Sequence, residues 1–321
     1  MTNLKHMSTR ESQVLQDLGE AWETYGPALR DKFALDGGMT WRQGVGGEFL
    51  YHYRVDPETG KKKWTALGIR SAETEKAYND FIGRRGDARQ TVLTSQDDIK
   101  LTGRLAKAHG LARMPGKHAE VLRSFWLRSL DDRMTLFGGH ALFAYELPTG
   151  ILAPAPLIRD DSLLFILRDE TDAEAIEDIK DAVEDAVGAK VRVEEKRKRT
   201  ILTAGDAISI ELWDKEYLTR RVDDEEQAEV LEEALEAPAV TGLTVARDSQ
   251  PVELQALDPR SFAIAAYVLG QNDEIWAERA QFAGTVVRGR WLEPFAPRQE
   301  ESFPDVCLDP EGRPPPRFSG P

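Results

Sequence analysis

Apolar residues first recur at helical spacing over residues 8–33, where Val14, Leu15, Leu18 and Trp22 form one stripe and Gly26-Pro27 predicts a break. The period then shortens. Phe49–Val55 and Lys61–Leu67 carry aromatic and β-branched residues on either side of Asp56-Pro-Glu-Thr-Gly60, the pattern of a β-hairpin, and Gly68 ends it. Residues 71–131 read as helices. One opens at Ser71 with an acidic first turn, and a second runs from about Ser95 to His109 before Gly110. A third follows Pro115 and carries Val121, Leu122, Phe125, Trp126 and Leu130.

A short apolar strand at Met134–Phe137 then leads into a Gly-Gly turn and a helix from Gly139 to Glu146, stopped by Pro148 and Gly150. After a Pro-rich linker at 153–156, Ser162–Leu167 is an almost unbroken apolar run, as expected of a strand covered on both faces. Asp172–Val187 is an acidic amphipathic helix, followed by expected strands at Lys190–Val193, Thr200–Ala204 and Ala207–Trp213. Beyond these, Glu225–Leu235 reads as a helix, Val252–Leu257 as a strand, and Asp258–Tyr267 and Asp273–Val287 as helices. Residues 293–321 are rich in Pro and predict an extended tail.

Composition narrows the function classes. With 321 residues, 41% hydrophobic and 8% aromatic, the chain is globular and long enough for two or three structural units. A formal charge of −14 argues against a surface that wraps nucleic acid throughout, while leaving room for a local basic groove or a metal-bridged phosphate. The lone Cys307 excludes an internal disulfide and a Cys-rich zinc module. No apolar run reaches spanning length and the first residues lack a signal-type apolar segment, so the expectation is a cytoplasmic protein without membrane contact.

The candidate chemistry lies between Leu136 and Leu167. A strand that feeds a Gly-rich turn and a helix start presents free backbone N–H groups to an anion, here at Gly138 and Gly139 with His140 beside them. Asp160 and Asp161 precede the next strand and could hold a cation over that anion. Glu211 sits among Ile208, Ile210, Leu212 and Trp213, where a charge needs a partner, a metal or an outward face. Each feature also has a plainer reading: a tight turn, a solvated strand start, an outward-facing acid.

Phe137-Gly-Gly-His-Ala-Leu-Phe-Ala-Tyr-Glu146 resembles the Gly-Gly motif of the nucleotidyltransferase (polymerase-beta-like) superfamily. More narrowly, it is similar to bacterial members with a Gly-Thr-His-Ala version of the motif, an upstream Tyr-rich hairpin and a downstream segment like Leu257-Asp-Pro-Arg-Ser-Phe-Ala263. The resemblance implies an α+β fold, a nucleotidyltransferase-like mixed sheet flanked by helices. It spans roughly residues 46–292 and implies a hairpin and helical region over 46–131, an α/β domain over 132–222 and a C-terminal helical segment over 223–292, with an N-terminal helical extension expected over 1–45 and a Pro-rich tail over 293–321 outside it. It further implies Mg²⁺ or Mn²⁺ held by Asp160 and Glu211 with help from Asp161, and nucleotide phosphates at Gly138, Gly139 and His140. The reaction would be transfer of a nucleoside monophosphate from an NTP to a hydroxyl of a protein, a small molecule or an RNA end.

One position departs from the pattern. Where the superfamily carries Asp-x-Asp, this chain has Asp160-Asp161-Ser162, and only alternate strand residues share a face. A catalytically degenerate protein that binds a nucleotide or a partner protein is therefore the first alternative. The second is a nucleic-acid-binding regulator built on the 95–130 helices, with a helix-turn-helix as one form, and on the basic run Lys196–Arg199.

Overall fold

The computed structural model describes residues 4–55, 60–169, 173–206, 208–303 and 306. The expected hairpin turn at 56–59, Cys307 and most of the Pro-rich tail lie outside them. The chain forms two compact units, residues 18–101 and the remainder. Its first elements are β1 (Lys5–His6), α1 (Thr9–Ala34), β2 (Gly38–Gly44), β3 (Gly47–Val55), β4 (Lys62–Ile69) and α2 (Ala72–Ala108). There follow β5 (Ala112–Met114), α3 (Gly116–Leu127), β6 (Met134–Phe137), α4 (Phe143–Thr149), β7 (Ile151–Leu152), β8 (Ser162–Leu167) and α5 (Ala173–Val187). The rest are β9 (Arg192–Lys196), β10 (Arg199–Ala204), β11 (Ile208–Trp213), α6 (Lys215–Thr219), α7 (Glu225–Leu235), β12 (Val240–Ala246), β13 (Pro251–Ala256), α8 (Pro259–Gly270), α9 (Glu274–Arg290) and α10 (Pro297–Ser302).

In the smaller unit the hairpin gains a third strand, giving an antiparallel sheet β2-β3-β4. Helix α1 does not break at Gly26-Pro27 but runs through it. An internal Pro costs about 3 kcal/mol. Complete burial of one large apolar side chain contributes about 1.5–3 kcal/mol, and Leu18 and Trp22 are both buried on this helix. The two helices expected at 71 and 95 are one, α2. Its buried positions Phe81, Ala88, Val92 and Ile99 hold helical spacing across the expected gap, and no Pro interrupts them. The Thr74 amide donates to Ser71 Oγ (3.3 Å), the cap read from the sequence.

The larger unit is a mixed eight-stranded sheet in the order β5-β12-β13-β6-β8-β11-β10-β9, flanked by helices, which establishes the α+β class. Register separates its two faces. Phe137 pairs with Leu164 across β6 and β8, and Glu211 pairs with Leu164 and Trp213 with Ile166 across β11 and β8, so these side chains share one face. That face meets α8 and α9: Phe137 stacks on Trp276 at 5.0 Å, and both pack with Phe262. The opposite face carries Phe165, whose ring meets Phe125 of α3 at 5.6 Å.

Three corrections follow for this unit. The described part of the expected extended tail contains α10, and Phe295 and Phe303 are buried. The stretch 223–292 is not purely helical, because β12 and β13 lie inside the main sheet between β5 and β6. The strand expected at 190–193 starts later: Lys196 pairs with Arg199 around a two-residue turn whose Lys198 has φ 63°, and this sets the register of β9.

Candidate functional site

The Gly-Gly turn is formed as the sequence predicts, at the end of β6. Gly138 has φ 77° and ψ −167°, a region that side chains with a Cβ avoid. Gly139 opens a short 3₁₀ turn that continues into α4. Its amide, the donor a phosphate would seek, is already used: it donates to Asp160 Oδ2 at 2.6 Å. The other carboxylate oxygen of Asp160 accepts from Arg279 Nη2 at 2.5 Å. Arg279 comes from α9, is almost wholly buried, and also donates through Nε to the Leu157 carbonyl at 2.9 Å. Its guanidinium lies over the Trp276 ring, 4.6 Å from the centroid.

This packing leaves no room at Gly139. An added Cβ would stand 2.4 Å from the Leu157 oxygen and 2.7 Å from Arg279 Nη2. Gly139→Ala is therefore expected to lower stability by about 1–3 kcal/mol, the usual cost of overpacking. Chemical denaturation should show a lower midpoint with an unchanged slope.

The structure brings Gly138, Gly139 and Asp160 together, and it does not gather the three carboxylates. Asp161 is exposed. Glu211 lies on the same face of the sheet as Leu164, but its Oε2 accepts from Trp213 Nε1 (3.0 Å) and Arg199 Nη1 (3.3 Å). Among the described residues no group of three His, Cys, Asp or Glu could hold a metal ion. A divalent cation needs carboxylate oxygens turned toward a common point. Here both oxygens of Asp160 and one of Glu211 are bound to N–H donors, and Ser162 stands where the second Asp is expected. The residues in this arrangement do not fit Mg²⁺ or Mn²⁺.

His140 is placed differently from a phosphate-binding side chain at a helix start. Its ring is buried, meets the ring of His118 from α3 edge-on at 4.5 Å, and has no hydrogen-bond partner on either nitrogen among the described residues. Burial pushes its pKa down to about 3, and the nearby charges of His118 and Arg279 act in the same direction. His118 is also lowered by burial, against the pull of Asp160 and Asp161, and its Nδ1 likewise lacks a partner. Two neutral imidazoles thus supply unsatisfied ring nitrogens beside the Gly turn. Buried polar groups of this kind cost free energy unless a ligand or solvent satisfies them.

The rest of the motif is structural. Tyr145 donates its hydroxyl to the Leu257 carbonyl (2.5 Å), which ties the Ala-Tyr-Glu segment to the Leu257-Asp-Pro-Arg segment. Glu146 accepts from the Ala153 amide (2.9 Å) and is ion-paired with Arg113, whose Nη1 donates to the Ala153 carbonyl at 2.8 Å. Burial raises the pKa of Glu146 and Arg113 opposes that rise.

The basic run 196–199 forms the β9–β10 turn. A shallow cavity of about 260 Å³ there is lined by Arg197, Lys198, Tyr217 and Arg220. Its cations are largely neutralised: Lys198 and Arg220 both pair with Glu216, Arg199 pairs with Glu211, and Lys196 with Glu194. In the 95–130 stretch, residues 95–108 are the end of α2, and β5 separates them from α3, so no helix-turn-helix is formed there.

Sequence reasoning missed Arg279, His118 and Arg113, and it named Arg199 in the basic run without its pairing to Glu211. Two of them carried a signal. Arg279 occupies the apolar stripe of Ala280, Ala283, Val286 and Val287, and His118 that of Val121, Leu122 and Phe125. Among the described residues, no helix is long and apolar enough to cross a membrane. A scan against protein-family models, a search of curated proteins and a search of solved structures returned no match to this chain.

Proposed function

We propose that this chain is a catalytically degenerate protein of nucleotidyltransferase type that binds a nucleotide and does not transfer it. One observation carries the reading: the expected metal carboxylates, Asp160 and Glu211, are each held by an arginine, and the second expected carboxylate position is Ser162. Two-metal chemistry needs free carboxylate oxygens on both ions. What favours retained binding is the pair of neutral imidazoles, His118 and His140, whose unsatisfied nitrogens lie beside the Gly138–Gly139 turn and can donate N–H to phosphate oxygens.

The test is calorimetric titration with an NTP in Mg²⁺ and again in EDTA, run beside a pyrophosphate-release assay. The expected result is the same affinity in both buffers and no pyrophosphate. Metal-dependent pyrophosphate release that disappears in Asp160→Asn would replace the reading with an active transferase acting on a hydroxyl acceptor. The sheet register favours that second reading, since Glu211 lies on the face shared by Ser162 and Leu164. No heat in either buffer, with no turnover, would remove the nucleotide altogether.

A further inference from the structure

Strand pairing in the smaller unit sorts its side chains onto two faces of different character. Tyr51 pairs with Thr40 and Ala66, Tyr53 with Gly38 and Trp64, Phe49 with Arg42 and Ile69, and Val55 with Lys62. The other face turns to α2. Leu50 is fully buried there, His52 meets Phe81 at 5.6 Å, and Trp41 meets Tyr78 at 6.0 Å. Among the described residues no ring from a helix meets the first face. Phe49, Tyr51, Tyr53 and Trp64 are all only half-buried, and Arg42 and Lys62 are exposed.

The rings and cations on this face are mutually arranged. Tyr53 and Trp64 lie 4.8 Å apart, and Tyr51 meets Trp64 edge-on at 6.5 Å. The Arg42 guanidinium sits over Trp64, 3.5 Å from the ring centroid, and Lys62 Nζ lies 4.2 Å from that of Tyr53. Cation–π contacts pre-position these two charges without neutralising them. Among the described residues of the sheet, the sole acid is Glu48. It belongs to the opposite face, opposite Gln43, and is paired with Arg70 at 2.5 Å.

Charge distribution agrees. The chain carries −14 overall, yet residues 18–101 contain thirteen basic and thirteen acidic residues, so the excess acid lies wholly outside this unit. Aromatic planes interleaved with uncompensated cations suit a ligand that alternates planar groups with negative charges. That ligand is single-stranded nucleic acid, whose bases stack on rings and whose phosphates meet Arg and Lys. The carboxylates of an acidic peptide would use the cations and leave the four rings without a role.

We propose that the outer face of β2-β3-β4 binds single-stranded nucleic acid through Arg42, Lys62, Tyr51, Tyr53 and Trp64. The experiment is fluorescence anisotropy with the full chain and a labelled twenty-nucleotide oligo-dT or oligo-U, over a salt series, with a duplex of the same length beside it. Expected results are binding that weakens with salt and a preference for the single strand. Replacing Arg42 and Lys62 with Ala should reduce the log–log salt slope by about 1.4, two phosphate contacts at ~0.7 each. Tyr51→Leu should weaken binding roughly five-fold or more with the slope unchanged, as for a lost stacking contact.

Lys62→Arg keeps the charge and should keep the affinity, which separates a binding role from a folding defect, and circular dichroism on each variant checks the fold directly. Arg84→Ala, an exposed charge change on α2, should leave affinity within about two-fold, because α2 meets the other face of the sheet and Arg84 is paired with Asp31. Absence of binding, equal affinity for the duplex, or variants on this face that bind like the parent would each overturn the proposal.

Discussion

Asp160→Asn is expected to destabilise the folded chain by about 3–5 kcal/mol, because it strands a buried arginine. The Arg279 side chain is 2% exposed, whereas that of Asp160 is 24% exposed. Removing the negative charge therefore leaves the guanidinium, among the described residues, with a neutral amide oxygen, the Leu157 carbonyl and the Trp276 ring. Removing the cation is less costly. In Arg279→Met the Asp160 carboxylate keeps the Gly139 amide and can draw on solvent, so a loss of about 1–3 kcal/mol is expected. The double variant should be more stable than Asp160→Asn alone, since it carries no unpaired buried charge. Urea denaturation of the four proteins measures the coupling directly. Strict additivity, or a milder effect from Asp160→Asn than from Arg279→Met, would mean that the pair does not hold this corner of the fold.

The same variant bears on function. Asp160 occupies the place of an external anion, with its carboxylate against the Gly139 amide and the Arg279 guanidinium. Once it is neutral, the charge that competes with phosphate for these two donors is gone. Millimolar triphosphate should then raise the melting temperature of Asp160→Asn more than that of the parent, as expected when a ligand binds only the folded state. An equal shift in both proteins would place nucleotide phosphates elsewhere.

Much of this corner was legible in the sequence, and the reason is local. The strand Met134–Phe137, the Gly-Gly turn and the strand Ser162–Leu167 are each specified within a few residues, by an apolar run or by backbone geometry that Gly alone tolerates. What failed was long-range. Arg279 lies 119 residues from Asp160, and no local periodicity links them. A charge on an apolar stripe can be read, but its partner cannot. The strands Gly38–Gly44 and Val240–Ala246 were missed for a related reason. Glycines and polar residues blur their alternation, and they are held by pairing to β3, and to β5 and β13, rather than by their own propensity. The resemblance placed Asp160 and Glu211 on one side of the sheet. Which donors those carboxylates would face depended on arginines it did not include.

Stability is expected to fall on acidification below pH 6.5, with His140 as a principal cause. The unfolded chain takes up a proton on this imidazole at the ordinary 6.5, whereas burial holds the folded ring neutral down to about 3. Between those values the unfolded state binds more protons, so the free energy of unfolding decreases as pH falls, by about 1.4 kcal/mol per pH unit. From pH 7 to pH 5 the loss from this group is about 2 kcal/mol by the same linkage. His118, also lowered by burial, adds in the same direction, while Glu146, raised by burial, works against it above its ordinary range. His140→Leu isolates the one group. Because neither ring nitrogen has a partner among the described residues, the apolar replacement should change stability at pH 7 by less than about 1 kcal/mol. The variant should then lose about 2 kcal/mol less than the parent between pH 7 and pH 5. Parallel stability–pH curves for the two proteins would show that the His140 ring is not held neutral, and the imidazole pair would no longer serve as the neutral donor set beside the Gly turn.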